Sequence, residues 1–354
     1  MSTEAVTSSR VERILNDPHR AIEVAGLLIL VLIPVLYPPS DVQTWAVYLL
    51  FCLLAVSVDL VWGYTGLLTL GHAAYFGAGA YLTAKVTTEI PAIPEVVVVF
   101  VLSPLLGAML TLVVGWFLFS ADVKGAYFAI ATLIISVIFG NVVQQFTEFF
   151  GGFNGLAGIP TLSIGSIEFS VMMEYYTALV MLVVIYAGAR LLTGSAFGRA
   201  LKGIREDQKR TEAFGYNTEL CRLLVFTISG GIAGIAGGMY ATIDGFVSPP
   251  IVGFVLATEV VIWVAVGGRG TLIGAVAGAL TIQFLESELS DLLINFWQIS
   301  LAAVFIIVVI WAPGGLVGVV DEDSRVVRWL RTKLVSDAGS SEKQITEMTG
   351  KKND

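Results

Sequence analysis

Four windows, Ala21–Tyr37, Trp45–Trp62, Val96–Phe119 and Leu301–Trp311, hold between them only two charged side chains, Glu23 and Asp59. Several reach or approach the ~20 apolar residues that cross the hydrocarbon core of a bilayer. One soluble core cannot hide so many runs of this length. Over the whole chain, 56% of residues are hydrophobic and 14% charged, with a mean hydropathy of +0.83. Soluble domains carry roughly 25% charged residues. The fold class expected is an all-α polytopic membrane protein, because a helix satisfies its backbone hydrogen bonds internally where lipid offers no partner.

Arg10, Arg13 and Arg20 precede the first apolar run, which superficially resembles a signal peptide. The run contains Pro34, ends in Pro38-Pro39 and lacks a small-x-small cleavage site, so it reads as a retained first crossing after a cytoplasmic segment, 1–20. Cys52 and Cys221 lie far apart and make neither a metal nor a redox spacing. No metal or cofactor is expected, and a net charge of −8 gives no reason to expect a nucleic-acid partner.

About ten crossing or partly crossing helices are expected, near 21–39, 42–62, 67–87, 96–119, 125–147, 175–194, 222–244, 252–267, 271–286 and 297–317. Cytoplasmic loops are enriched in Lys and Arg. With the N-terminus inside, the outer connections are 37–41, 88–95, 148–174, 245–251 and 287–296, and none contains Lys or Arg. The inner connections hold Lys124, then Arg199, Lys202, Arg205, Lys209, Arg210 and Arg222, and finally Arg325 to Lys333. Both termini are therefore expected in the cytoplasm of a multi-pass cell-membrane protein. A polar tail, 319–354, follows the transmembrane domain, 21–318.

This count requires the apolar stretch 252–286 to be split at Gly267, Gly268, Arg269 and Gly270, an inner hairpin whose glycines tolerate unusual backbone angles. Arg269 is either a topological anchor reaching the inner interface or a specific contact of a gate or ATPase. Ten crossings divide as five plus five, the arithmetic of an inverted repeat. The stretches "GYTGLLTLGHAAYFGAG" (63–79) and "GGRGTLIGAVAGAL" (267–280) share a G-x-x-G opening that could relate the halves. "GGIAGIAGG" (230–238) spaces small residues for close helix packing.

His72, Asn141, Asn154 and Glu259 are the polar candidates for a solute path; hydrogen-bonded packing is the alternative for His72. One segment differs from the rest. "SAFGRALKGIREDQKRTEAFGYN" (195–217) is the only long charged stretch between crossings. Ser195 can cap it, Phe197, Leu201 and Ile204 share a face, and Gly215 can stop it. Lys202, Glu206 and Arg210 form an i, i+4 ladder on another face. Its acidic members, Glu206, Asp207 and Glu212, oppose an anionic lipid surface, so docking to a cytoplasmic protein is favoured over lying on the inner leaflet.

These stretches, with "GAYFAIATL" (125–133), "GGFNGLAGIP" (151–160), "VSPP" (247–250) and "APGGLVG" (312–318), resemble the permease subunits of ABC importers for branched-chain amino acids and urea. The resemblance runs over roughly 25–318. The pattern "GRALKGIRED" (198–207) is that of the second of the two paired permeases, and "WVAVGGRGTL" (263–272) looks closer to the urea and short-chain amide branch. It implies a permease without catalysis of its own, partnered by a second homologous permease, two ABC ATPase subunits and an extracytoplasmic substrate-binding protein. Residues 195–217 would then be the coupling helix, with Arg199, Lys202, Arg205, Glu206, Asp207 and Arg210 toward the ATPase. No G-x-x-x-x-G-K-[ST] phosphate loop occurs in the chain. The alternative is a stand-alone secondary transporter or channel, for which Asp59 and Glu259 would be the ion-coupling candidates.

Overall fold

The computed structural model describes residues 18–165, 167–292, 306 and 315–318; the N-terminal segment to residue 17, most of the tenth expected crossing and the tail from 319 lie outside them. The long helices are α1 (Pro18–Leu36), α2 (Pro39–Thr65), α3 (His72–Glu89), α4 (Glu95–Ser120, with a π-helical turn at Val98–Leu102), α5 (Gly125–Gln145) and α6 (Val171–Gly194). Two short helices follow, α7 (Ala196–Glu206) and α8 (Gln208–Ala213), and then α9 (Thr218–Asp244), α10 (Phe254–Gly267) and α11 (Leu272–Leu292). Among the described residues, α2, α4, α5, α6, α9 and the Leu272–Ser290 part of α11 are each long and apolar enough to cross a membrane. The protein is an all-α polytopic membrane protein.

α2 is apolar on every side and buried along most of its length, which places it at the centre of the bundle. α9 packs against α2, α3 and α4, while α6, α10 and α11 pack against other faces of α2. α4, α5 and α6 keep exposed apolar faces, including Trp116, Phe117, Ile130, Ile134, Val180 and Val184, as lipid-facing helices do. With lipid outside as apolar as the helices themselves, contact is driven by close packing of small residues. The glycines of α9 supply it. A Cβ on Gly237 would fall on the carbonyl of Phe76 in α3, and one on Gly107 would fall on the carbonyl of Gly230. Ser103 Oγ, 2.8 Å from Thr83 Oγ1, joins α4 to α3.

Consecutive helices alternate in direction, which gives the bundle two distinct ends. At the first, α2, α4, α6 and α10 finish, α5, α9 and α11 begin, and α7 and α8 lie across them; Ser120 at the end of α4 meets Glu219 at the start of α9. Glu23 of α1 pairs there with Arg190 of α6 and accepts the Tyr186 hydroxyl at 2.7 Å. At the second, Gln43 Nε2 donates to the carbonyl of Ile243 at 2.7 Å. Strand β1 (Leu156–Ala157) there pairs antiparallel with β4 (Phe246–Val247), beside the hairpin of β2 (Ser163–Ile164) and β3 (Ile167–Glu168). Lys124, Arg199, Lys202, Arg205, Lys209, Arg210, Arg222 and Arg269 all belong to the first end, whereas Lys85, paired with Glu89 of its own helix, is on the second.

Two expectations change in detail, and the division of 252–286 does not. The crossing expected at 67–87 becomes helical only at His72, because Gly66 closes α2 in the left-handed region (φ +78°). The stretch 252–286 is two helices, α10 and α11, with the chain turning between Gly267 and Leu272. Finally, the stretches 63–79 and 267–280 do not relate two inverted halves. Gly63 and Gly270 meet at the same end of the bundle, whereas equivalent parts of an inverted repeat lie on opposite faces.

Candidate coupling site

The charged end is built from α7 upward. Ser195 caps the helix, its Oγ accepting from Gly198 N at 3.4 Å. Ala200, Leu201 and Ile204 are buried and Phe197 is half-buried, so one face of α7 is seated against α2, α6 and α9. The helix stops at Asp207, whose backbone is extended (φ −155°, ψ 102°) and whose carboxylate accepts from Arg210 N at 3.0 Å to start α8. Residues 195–217 are therefore two short helices and not one. Aspartate competes with the helix by capping the next one, and here that competition wins. Arg210 consequently lies beyond the break, and among the described residues no ion pair joins Lys202, Glu206 and Arg210 in a ladder.

α8 is tied to α9 by Glu212, which accepts from Gln208 Nε2 and Thr218 Oγ1, each at 2.7 Å. Thr218 first and Gln208 second hold this exposed carboxyl below its usual range. Gly215 takes φ +89° just past α8. Outward from this platform stand Glu206, Lys209 and Arg210, together with Phe214, 76% exposed, and Tyr216. The two aromatic residues are the part that sequence reasoning missed. Their signal was a pair of rings flanking a glycine inside an otherwise charged segment.

The inner face of the platform meets α2 and the α10–α11 turn. Arg205 Nη1 donates to the carbonyl of Gly63 at 2.6 Å, and Lys202 Nζ sits 5.5 Å from the centre of the Tyr64 ring. Arg199 Nη1 donates to the carbonyl of Gly194 at 3.3 Å. Gly268 and Gly270 adopt φ +118° and +82°, values that side chains other than glycine resist. Asp59, fully buried in α2, accepts from Gly270 N at 2.7 Å. Gly63 is close enough to the turn that a Cβ on it would lie 2.7 Å from Gly270 Cα. Gly267 is buried against Gly274 of α11, and the described turn Gly315–Gly318 packs on the same two helices.

Arg269 is exposed, and its guanidinium lies 5.3 Å from the Trp62 ring centre, a cation–π contact. An ammonium can make the same contact, worth ~0.5–1 kcal/mol at exposed sites. Arg269→Lys is expected to insert normally and keep solute uptake within about twofold of wild type, since this energy changes little. Arg269→Ala, lacking both charge and contact, is expected to transport less than either. Uptake normalised to inserted protein measures this; complete loss in a correctly inserted Arg269→Lys would mean that the guanidinium fork itself is required.

The four polar path candidates do not form one cluster. His72 is buried at the start of α3 with both ring nitrogens engaged, Nδ1 3.2 Å from Thr69 Oγ1 and Nε2 3.0 Å from Ser229 Oγ, between the rings of Tyr75 and Phe226. Asn141 and Asn154 are exposed near the second end. There, Gln144, Phe153, Pro249 and Phe254 line a cavity of about 340 Å³. Glu259 is half-buried in α10.

Known proteins bear on what this arrangement serves. The family described as branched-chain amino acid transport system / permease component matches residues 42–311. The high-affinity branched-chain amino acid transport system permease protein LivM of Escherichia coli is 26% identical over 320 residues, covering 83% of this chain and 73% of its own. LivM of Salmonella typhimurium is 27% identical over 324 residues, covering 82% and 73%. The permease protein LivH of Escherichia coli is 24% identical over 299 residues, covering 76% of this chain and 91% of its own. No solved structure matches the chain. With the family matching most of its length and every helix from α2 to α11, the chain belongs to the permease components of branched-chain amino acid transport systems.

Proposed function

We propose that this permease subunit of an ABC importer carries branched-chain amino acids into the cell, driven by ATP hydrolysed on two partner ATPase subunits that seat on α7 and α8. The observation that carries the reading is the platform itself. Its apolar face is locked into the bundle, and its outer face presents Glu206, Lys209, Arg210, Phe214 and Tyr216 to whatever lies beyond. Aromatic residues and arginine dominate binding energy at protein interfaces. The positive charge gathered at this end supports a cytoplasmic orientation. Both termini would then be cytoplasmic in the ten-crossing scheme.

LivM and LivH occur as separate permeases in one organism and both resemble this chain, which supports a second, homologous permease as partner. The second end supports docking of an extracytoplasmic binding protein, since Phe153, Ile164 and Ile167 are exposed there among Glu148 and Glu168. A five-plus-five inverted repeat has support of a different kind from the motif pair set aside above. α2 and α9 each span 27 residues, run antiparallel against one another and end at a left-handed glycine, Gly66 and Gly245. α4 packs on α9 as α11 packs on α2, and α3 packs on α9 as α10 packs on α2.

The test is uptake by proteoliposomes holding the complex of both permeases, the ATPase subunits and the binding protein. Leucine, isoleucine or valine is expected to accumulate only with ATP on the platform side, with urea failing to compete. Uptake that needs no ATP would favour the stand-alone transporter, and urea uptake without amino-acid uptake would move the substrate to the amide branch.

A further inference from the structure

We propose that Asp59 and Arg205 together form an internal latch that carries movement of α7 to α11, with Asp59 a positioning residue and not an ion-coupling carboxylate. The inference rests on the coupling role of α7 and α8 proposed above. Arg205 was expected to face the ATPase. Its guanidinium instead turns inward and donates to the carbonyl of Gly63, in the last turn of α2. One turn earlier on the same helix, Asp59 Oδ1 accepts from Gly270 N, the residue two before α11 begins. Gly63 lies between these contacts, and no larger residue fits. A Cβ on Gly63 would press on the Asp59 carboxylate and on the backbone of Gly270. A Cβ on Gly270 would meet Arg205 Nη1 at 3.2 Å and the Gly63 carbonyl at 3.3 Å.

Four residues from three separate segments thus make a continuous path from α7, through the end of α2, to the α10–α11 turn. The Arg205 link has a charged donor, which makes it shorter and stronger than a neutral hydrogen bond, and the Asp59 link needs only an acceptor oxygen for the Gly270 N–H. The turn they hold is built of glycines at positive φ and can change angle where an ordinary helical connection cannot. Asp59 Oδ2 is buried with no hydrogen-bond partner among the described residues. The carboxyl therefore spends one oxygen on the turn. Displacing α7 by its partner pulls on Gly63, and Asp59 keeps Gly270 in step, so the start of α11 moves with α2.

The test uses the reconstituted complex of permeases, ATPase subunits and binding protein, and reads solute moved per ATP hydrolysed alongside retention of the ATPase subunits. Asp59→Asn keeps an acceptor for Gly270 N and is expected to stay within about twofold of wild type, whereas Asp59→Leu still hydrolyses ATP but moves about tenfold less solute per ATP. Arg205→Gln, a change at an exposed helix position, is expected to show a similar loss with the ATPase subunits still bound, and Arg205→Lys to restore part of it. A wild-type ratio in Arg205→Gln overturns the latch, whether or not Asp59→Leu inserts. Equal losses in Asp59→Asn and Asp59→Leu also overturn it, because the charge and not the acceptor would then matter. Release of the ATPase subunits by Arg205→Gln would make that residue a docking contact and overturn the latch while leaving the proposed function standing. ATPase subunits that do not bind the wild-type permease would refute the coupling role and the latch with it.

Discussion

Valine in place of Gly237 is expected to leave almost no folded permease. Gly237 faces α3 at the centre of the α9 packing surface, where a Cβ would overlap the carbonyl of Phe76 and come within 3.1 Å of Ala80 N. Overpacking a core typically costs about 1–3 kcal/mol when side chains can shift to absorb it. Here the obstruction is backbone in a buried helix, so no rotamer change relieves it and α9 must move away from α3. That separation also disturbs the contacts of Gly234 with α4 and of Gly79 with α9. A cost of about 3 kcal/mol or more takes a large share of a typical folding free energy of ~5–15 kcal/mol. The control is Gly188→Val in α6, where nothing lies within 4 Å of the added carbon. Thermal unfolding and monodisperse yield in detergent should separate the two, with Gly188→Val near wild type. A wild-type midpoint for Gly237→Val would mean that α3 and α9 are not packed as described.

How much of this could be read from residues alone depended on the range of the interaction. The membrane class followed from windows such as Val96–Phe119, since apolar length is a local property and lipid imposes it directly. The turn at Gly268 was legible because charge placement and glycine content pointed to the same four residues. The buried face of α7 was legible as a period, and Leu201 and Ile204 lie where that period put them. Asp207 was harder. The same residue is a tolerable helix member and a strong cap, and only the packing of α8 against α9 decides between them. The bond from Gly270 to Asp59 joins residues 211 apart, and no local pattern marks it. A charge in an apolar run reads from sequence as a candidate for ion coupling, as Asp59 and Glu259 do, and nothing local shows that Asp59 accepts from a backbone N–H. The pairing of 63–79 with 267–280 failed for the opposite reason, as glycine spacing recurs easily where many helices need close approach.

The central claim is that the exposed face of α7 and α8 is where an ATPase subunit engages this permease. Arg210→Glu combined with Phe214→Ala tests it with little disturbance of the fold. Both side chains are exposed, and Arg210 serves the structure through its backbone N–H, which the substitution leaves in place. Exposed substitutions of this kind usually change stability by less than about 0.5 kcal/mol. Interface anchors of these residue types, by contrast, commonly cost about 2 kcal/mol or more when removed, and 2 kcal/mol is roughly thirtyfold in affinity. The measurement is retention of ATPase subunits on the purified permease complex, with ATP-driven uptake in the same preparation. The account predicts wild-type amounts of inserted permease, roughly thirtyfold weaker ATPase binding and a matching fall in uptake. Wild-type ATPase binding and wild-type uptake in the double variant would contradict it.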